Sequence, residues 1–493
     1  MVMDAVIVKD VSKTYGPVQA LRQVSLYIEK GEIFGLIGPD GAGKSTLFRI
    51  LCTLLLLDSG CATVEGFDVV GQLNDIRRIV GYMPGRFSLY QDLSVEENIR
   101  FFATLYGTSL EARRASVEAI YSQIERFSNR RVGALSGGMK QKLALSCALI
   151  HDPSILFLDE PTTGVDPVSR KEFWEILQSL KAKGMTIVVS TPYLDEISQC
   201  DRIAFLQEGS VRSIGTPDKV LAEFSHIFRP SGLLHESKEG TPESLRPSEV
   251  AIEVQNLVKA FGSFHAVDGI SFQVKRGEIF GFLGSNGAGK TTAMRILAGL
   301  SKPTAGTGQV AGFDLGTDYE KIKSHIGYMS QRFSLYDDLT VSENIRLFAG
   351  IYGMSRRQIR EKTHEVLERL EFAAHKDDIV GSLPLGWKQK LAFVVSIFHH
   401  PDIVFLDEPT GGVDPATRRQ FWQLIYDAAD SGITVFVTTH YMDEAEYCDR
   451  ISIMVDGKIE AIGTLSELTQ KYNQPDLDHV FTLLARQARR SAE

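Results

Sequence analysis

Cysteine is scarce in this 493-residue chain: Cys52, Cys61, Cys147, Cys200 and Cys448 are the only five, an odd number with no C-x-x-C pair. That argues against a disulfide framework, a zinc ribbon or an iron–sulfur centre, and fits small buried thiols in a reducing compartment. Long apolar runs are missing too. The most apolar stretches, such as LCTLLLL at residues 51–57, fall far short of the roughly 18 residues that a membrane-spanning helix needs. The opening MVMDAVIVKD has no basic segment followed by an apolar one, so no secretory signal is expected. Basic charge is in deficit, with 53 Lys+Arg against 62 Asp+Glu. A broad basic surface that wraps nucleic acid is therefore not expected. What the chain has is core material. Hydrophobic residues make up 43% and phenylalanine alone numbers 27, which excludes disorder as the dominant state and allows more than one domain.

The chain is written twice. GEIFGLIGPDGAGKST from Gly31 returns as GEIFGFLGSNGAGKTT from Gly277. RFSLYQDLSVEENIR from Arg86 returns from Arg332, and ILFLDEPTTGVDP from Ile155 returns from Ile403. The offset is 246 residues early and 248 later, so the second copy carries two extra residues between Arg332 and Leu383. Units this long are duplicated domains and not a short-repeat solenoid. The first is expected over residues 1–228, followed by a linker rich in Pro, Ser, Gly and Glu at 229–249. The second is expected over 250–475, followed by a C-terminal tail at 476–493 whose polar end ARQARRSAE is expected to fray. Short β-branched runs such as TIVVS (186–190) and ITVFVTT (433–439) alternate with helical patterns, predicting an α/β fold with a largely parallel sheet in each copy. No strand-like run occurs between the RFSLY segment and Leu135, which reads as a helical insertion.

Two phosphate loops stand in register. GPDGAGKS and GSNGAGKT both fit G-x-x-x-x-G-K-[ST], and each follows an apolar strand and precedes a helix pattern. Gly38, Pro39, Asp40, Gly41, Ala42, Gly43, Lys44, Ser45 and Thr46 would wrap one phosphate chain. Gly284, Ser285, Asn286, Gly287, Ala288, Gly289, Lys290, Thr291 and Thr292 would wrap the other. Glycines let backbone N–H groups close around phosphate at a helix N-terminus. Lys44 and Lys290 would reach the β- and γ-phosphates, and the hydroxyls of Ser45 and Thr291 would ligate Mg²⁺. Further on, apolar strands end in Asp159-Glu160 and Asp407-Glu408. The aspartate suits Mg²⁺, and the glutamate is placed to act as a general base on water.

Between these elements lies LSGGMKQ (135–141). The ordered set resembles the ATP-binding cassette (ABC) ATPases over nearly the whole chain, twice. That resemblance implies two P-loop cassettes, each a RecA-like core sheet with a helical subdomain, binding ATP and Mg²⁺. It further implies head-to-tail pairing of cassettes, with ATP held between one cassette's phosphate loop and the other's signature, Ser136, Gly137 and Gly138 in the first copy; the linker is long enough for pairing within one chain, with two chains exchanging halves as the alternative. Tyr15 and Phe261 match the aromatic that stacks on adenine, and Asp166 and Asp414 match the D-loop. Gln331 matches the glutamine that senses γ-phosphate and Mg²⁺, and His440 the switch histidine.

The copies depart from the pattern at complementary places. The first has Gly85 for Gln331, Pro192 for His440 and Asp40 for the usual asparagine. Proline offers neither an imidazole nor an N–H. The second keeps these groups, but its signature is LPLGW (383–387), with Pro384 for Ser136 and Leu385 for Gly137. Pairing the first copy with the second would assemble one complete site: Lys290, Thr291, Gln331, Asp407, Glu408 and His440 facing Ser136, Gly137 and Gly138. The expectation is one hydrolysing site and one degenerate site.

PTxGVDPxxR, TTHYMDEAEYCDRI and YM-x-x-RFSLYxDLTVxEN resemble the drug-resistance exporter class. That implies two separately encoded polytopic permeases, a place at the cytoplasmic face of the cell membrane, and room for a periplasmic adaptor protein. An apolar contact patch is expected on the helical insertion. A tandem translation factor acting on ribosomes and a tandem sugar-import ATPase stand as alternatives. Intact signatures and a long charged linker would mark the first; the second's usual sequences lack MDEAEYCDR and GVDP.

Overall fold

The computed structural model describes residues 4–85, 89–165, 167–224, 250–331, 335–370, 372–413 and 415–492. The linker expected at 229–249 and the D-loop residues Asp166 and Asp414 lie outside them. The chain divides into two compact units, the first built on Met1–Pro230 and the second on Ser231 onward, apart from the short stretch Gly412–Ala416.

Strands are numbered along the chain. In the first unit β1 (Asp4–Tyr15), β2 (Val18–Glu29), β4 (Ser59–Val64) and β5 (Phe67–Asp68) form an antiparallel sheet ordered β2-β1-β4-β5. A second sheet joins β3 (Ile33–Ile37), β6 (Val80–Met83), β7 (Ile155–Asp159), β8 (Thr186–Ser190), β9 (Arg202–Gln207) and β10 (Ser210–Gly215). Its order is β10-β9-β3-β8-β7-β6, parallel except for the edge pair β9–β10. Every residue of β3, β7 and β8 is buried, as expected for strands covered on both faces. The period-2 alternation of β3 divides the core. Ile33 and Ile37 face one apolar cluster with the helical insertion, while Phe34 and Leu36 face another with the antiparallel sheet.

The second unit repeats this plan. The antiparallel sheet contains β11 (Val250–Phe261), β12 (Phe264–Lys275), β14 (Ala305–Val310) and β15 (Phe313–Asp314). The six-stranded sheet contains β13 (Ile279–Gly284), β16 (Ile326–Met329), β17 (Ile403–Asp407), β18 (Thr434–Thr439), β19 (Arg450–Val455) and β20 (Lys458–Gly463). The antiparallel sheet in each unit was not anticipated. Its strands alternate buried and exposed residues and lack the continuous apolar runs of the parallel core.

The helical insertion is present in both units. Helices Val95–Leu105, Leu110–Tyr121 and Gly137–Leu149 correspond to Val341–Ile351, Arg356–Arg369 and Leu385–Ser396. Ser94 with Glu97, and Thr340 with Glu343, close reciprocal caps at the first of these helices. The two extra residues of the second copy sit here: its middle helix has 14 residues against 12.

The C-terminal tail expected at 476–493 has regular structure over most of its length. Leu477–Ala492 is a helix, and Leu477, Val480, Phe481 and Leu484 are buried. These residues recur at helical spacing, so burying their apolar side stabilises the helix against the second unit.

Candidate functional site

β3 and β13 each run into a glycine loop that ends where a helix begins, at Lys44 or Lys290. Gly43 and Gly289 adopt φ +102°. A Cβ there would come within 2.5 Å of the Ala20 carbonyl oxygen or 2.0 Å of Ala266's, so only glycine fits. The loop thus delivers the N–H groups of a helix start, the arrangement that suits a phosphate. Both lysines are buried and cap the loop from within. Lys44 Nζ donates to the carbonyls of Gly38 (2.7 Å) and Pro39 (3.2 Å). Lys290 Nζ donates to those of Gly284 (2.7 Å) and Ser285 (3.0 Å).

Asp407 lies beside the second loop. Its Oδ1 accepts from Thr291 Oγ1 at 3.1 Å and from Thr438 Oγ1 at 2.6 Å. This hard-oxygen set of a hydroxyl and a carboxylate fits Mg²⁺. In the first unit Asp159 Oδ1 is held by Ser190 Oγ at 2.7 Å. Ser190 and Thr438, which fix the aspartate rotamers, were not among the residues expected at the site. Their signal was the polar residue at the inner end of an otherwise apolar strand.

The adjoining glutamates sit in the left-handed region, with φ +49° for Glu160 and +48° for Glu408. For a non-glycine residue this costs on the order of 1 kcal/mol. The backbone N–H of each donates into the next strand, at Ser190 or Thr438. The strained turn aims each carboxylate at the loop lysine. Glu160 Oε1 lies 3.9 Å from Lys44 Nζ, and Glu408 Oε1 lies 3.7 Å from Lys290 Nζ.

There the likeness ends. Gln331 Nε2 donates to Glu408 Oε2 at 2.8 Å. His440 Nδ1 lies 3.1 Å from Glu408 Oε1. That is close enough for charge pairing but outside hydrogen-bond alignment, and neither ring nitrogen has a hydrogen-bond partner among the described residues. Burial alone would raise the Glu408 carboxyl; His440, then Lys290 and Gln331, outweigh it and hold the group at about 2. The lowering is greatest when the imidazole is protonated. Glu160 has Gly85 and Pro192 at the matching positions. Burial, followed by the charges of Asp40 and Asp159, pushes its carboxyl to about 7 against the opposing pull of Lys44. The two glutamates are thus displaced in opposite directions from the ordinary carboxylate range.

Ser136 caps the helix Gly137–Leu149, its Oγ accepting from Met139 N, so Gly137 and Gly138 present backbone N–H groups at a helix start. In the second unit Pro384 occupies the cap position without a side-chain bond, and Leu385 is half-exposed. Trp387 has turned inward, stacked on Phe372 at 4.7 Å and edge-on to His375 at 4.8 Å. This helix start is serving the core. Tyr15 and Phe261, the adenine-stacking candidates, are exposed at the ends of β1 and β11.

The ABC transporter family profile matches residues 21–163 and 267–411. Among the relatives is an Escherichia coli protein named probable multidrug ABC transporter ATP-binding protein YbhF, 40% identical across 93% of each chain. Another is the ribose import ATP-binding protein RbsA 2 of Agrobacterium fabrum, 29% identical over 91% of this chain and 92% of that one. The archaeal ribosome recycling factor aABCE1, solved with a ribosomal stalk protein, superposes with a TM-score of 0.67. It covers 94% of this chain and 92% of its own at 21% identity, a likeness of fold alone. With two P-loop cassettes of one plan and the family profile matched in both, the chain belongs to the ABC transporter family as a tandem-cassette ATPase.

Proposed function

We propose that this chain is the ATP-hydrolysing subunit of an exporter, driving efflux of small molecules through two separately encoded membrane permeases. In this reading Mg²⁺–ATP at Lys290, Thr291 and Asp407 is hydrolysed, with Glu408 as general base and His440 and Gln331 on the γ-phosphate. The loop at Lys44 holds nucleotide with little turnover. The observation that carries the reading is the contrast between Glu408, contacted by Gln331, His440 and Lys290, and Glu160, contacted by Lys44 alone of the equivalent set. The 40% identity to a protein named for multidrug transport favours export over the sugar-import and ribosome readings.

The helical insertions support docking to permeases. Phe101 and Leu105, one turn apart, are exposed, with the exposed Tyr90 ring 4.8 Å from that of Phe101; Leu347 and Ile351, one turn apart, and Tyr336 are exposed in the second unit. Such patches on a surface helix mark contact sites. No helix among the described residues is long and apolar enough to cross a membrane. The test is purification from detergent-solubilised membranes. Two polytopic permeases should co-purify, and a strain lacking the chain should lose drug resistance that wild type restores and Glu408→Gln does not. Co-sedimentation with ribosomes and not with membranes would overturn the reading.

The two insertions differ in charge. Arg100 pairs with Glu96 and Glu111 at 2.9 Å each, and Arg114 pairs with Glu118 and Glu125 at 2.9 and 2.7 Å. Their counterparts Arg346 and Arg360 remain, but Ser342, Arg357, His364 and Ala373 stand where those carboxylates were. Arg346 and Arg360 are exposed and form no ion pair among the described residues. Arg346 and Arg360 are therefore available to carboxylates on a permease, whereas Arg100 and Arg114 are already paired within their own insertion. Arg346→Glu with Arg360→Glu should weaken permease co-purification at low salt and leave ATP hydrolysis by the free chain unchanged; undiminished co-purification would refute the assignment.

A further inference from the structure

Glu444 is fully buried and lies four residues beyond His440. Its Oε1 accepts from Thr410 Oγ1 and faces Arg418 Nε at 3.3 Å, while its Oε2 accepts from Thr439 Oγ1 at 2.8 Å. Thr439 Oγ1 in turn accepts from Tyr441 N at 2.9 Å, and the Arg418 guanidinium stands 5.0 Å from the centre of the Tyr441 ring. One carboxylate therefore joins the segment just after Glu408, both neighbours of His440 and the helix Pro415–Asp430. A charge so deeply buried persists only when paired and hydrogen-bonded, so the geometry of this cluster is strongly constrained.

The first unit contains the same frame around a different occupant. Glu196 accepts from Thr162 Oγ1 at 2.6 Å and from Thr191 Oγ1 at 2.5 Å. Tyr193 N donates to Thr191 Oγ1 at 3.1 Å, and Arg170 lies 4.6 Å over the Tyr193 ring. The residue enclosed there is Pro192.

We infer that Glu444 is a positioning residue for ATP hydrolysis: through Thr439 and Tyr441 it sets the backbone on which His440 approaches Glu408. Glu196 performs only the structural half of that role. The inference rests on the reading that the Lys290 site hydrolyses ATP, and the duplication supplies its control.

The experiment compares Glu444→Gln with Glu196→Gln in the full-length chain, measuring Tm together with kcat and KM for ATP. Both should lower Tm by a similar amount. Only Glu444→Gln should lower kcat, by about 10²-fold as for a misplaced catalytic group, with KM little changed. In a His440→Ala background Glu444→Gln should add almost nothing, because the two act through one another. Equal kcat losses from the two glutamines, or full additivity with His440→Ala, would overturn the positioning role alone. Unchanged kcat in His440→Ala itself would overturn the functional reading and the positioning role together. If Glu444→Gln does not fold, Thr439→Val against Thr191→Val makes the same comparison, with a kcat loss of roughly tenfold expected for the first only.

Discussion

Glu408→Gln should abolish most ATP hydrolysis by the full-length chain, while Glu160→Gln should leave kcat within about twofold of wild type. The first removes a carboxylate held ionised within reach of Lys290, Gln331 and His440; losing a positioned general base costs about 10²–10⁴-fold. The second removes a carboxyl that lacks the glutamine and histidine and is pushed to about 7 by burial and its acidic neighbours, a poor base before any γ-phosphate adds further negative charge. Steady-state phosphate release decides the matter. Equal losses from the two substitutions would defeat the division of labour. ATP binding should survive in both, since neither glutamate belongs to a phosphate loop.

The same two substitutions should change stability in opposite directions. An unfolded glutamate titrates near about 4.3. The folded state holds Glu408 below that, at about 2, so its contribution is present above the unfolded value and is lost as pH falls towards 2. Glu408→Gln should therefore lower stability at pH 7 by roughly 1–3 kcal/mol, at 1.36 kcal/mol per pKa unit and leaving the Lys290 charge less compensated. Glu160 is displaced upward, to about 7. Its ionised form is penalised on folding, and the penalty grows as pH rises from about 4.3 and is complete above 7. Glu160→Gln should raise Tm at pH 8, and the gain should disappear near pH 4, where both states are protonated. Thermal melts of the three proteins at pH 4, 6 and 8 measure both signs, and a Glu160→Gln protein less stable than wild type at pH 8 would contradict the account.

The order of GPDGAGKS, LSGGMKQ and ILFLDE, the duplication, and the exchange of Gly85, Pro192 and LPLGW against Gln331, His440 and LSGGM were all legible along the chain. These are contiguous features: a glycine loop between a strand and a helix has its backbone shape dictated by the residues that compose it, as at Gly43 and Gly289. The antiparallel sheet was hidden because strands such as β1 and β2 are only half-buried and kinked by register shifts. The C-terminal helix was hidden because its polar end masks four apolar residues that matter only once something covers them.

Linear pattern decided which residues surround each phosphate loop, for the loops, strand ends and signature helix starts are short-range objects. Whether a given carboxylate is charged, and which buried acid steadies the switch histidine, was decided only in three dimensions. Glu408 takes its low value from groups 32, 77 and 118 positions away along the chain, His440, Gln331 and Lys290, and Glu444 matters because Thr410, Arg418 and Thr439 converge on it. Electrostatic energy depends on distance through space and on exclusion of water, and neither can be read from the order of residues.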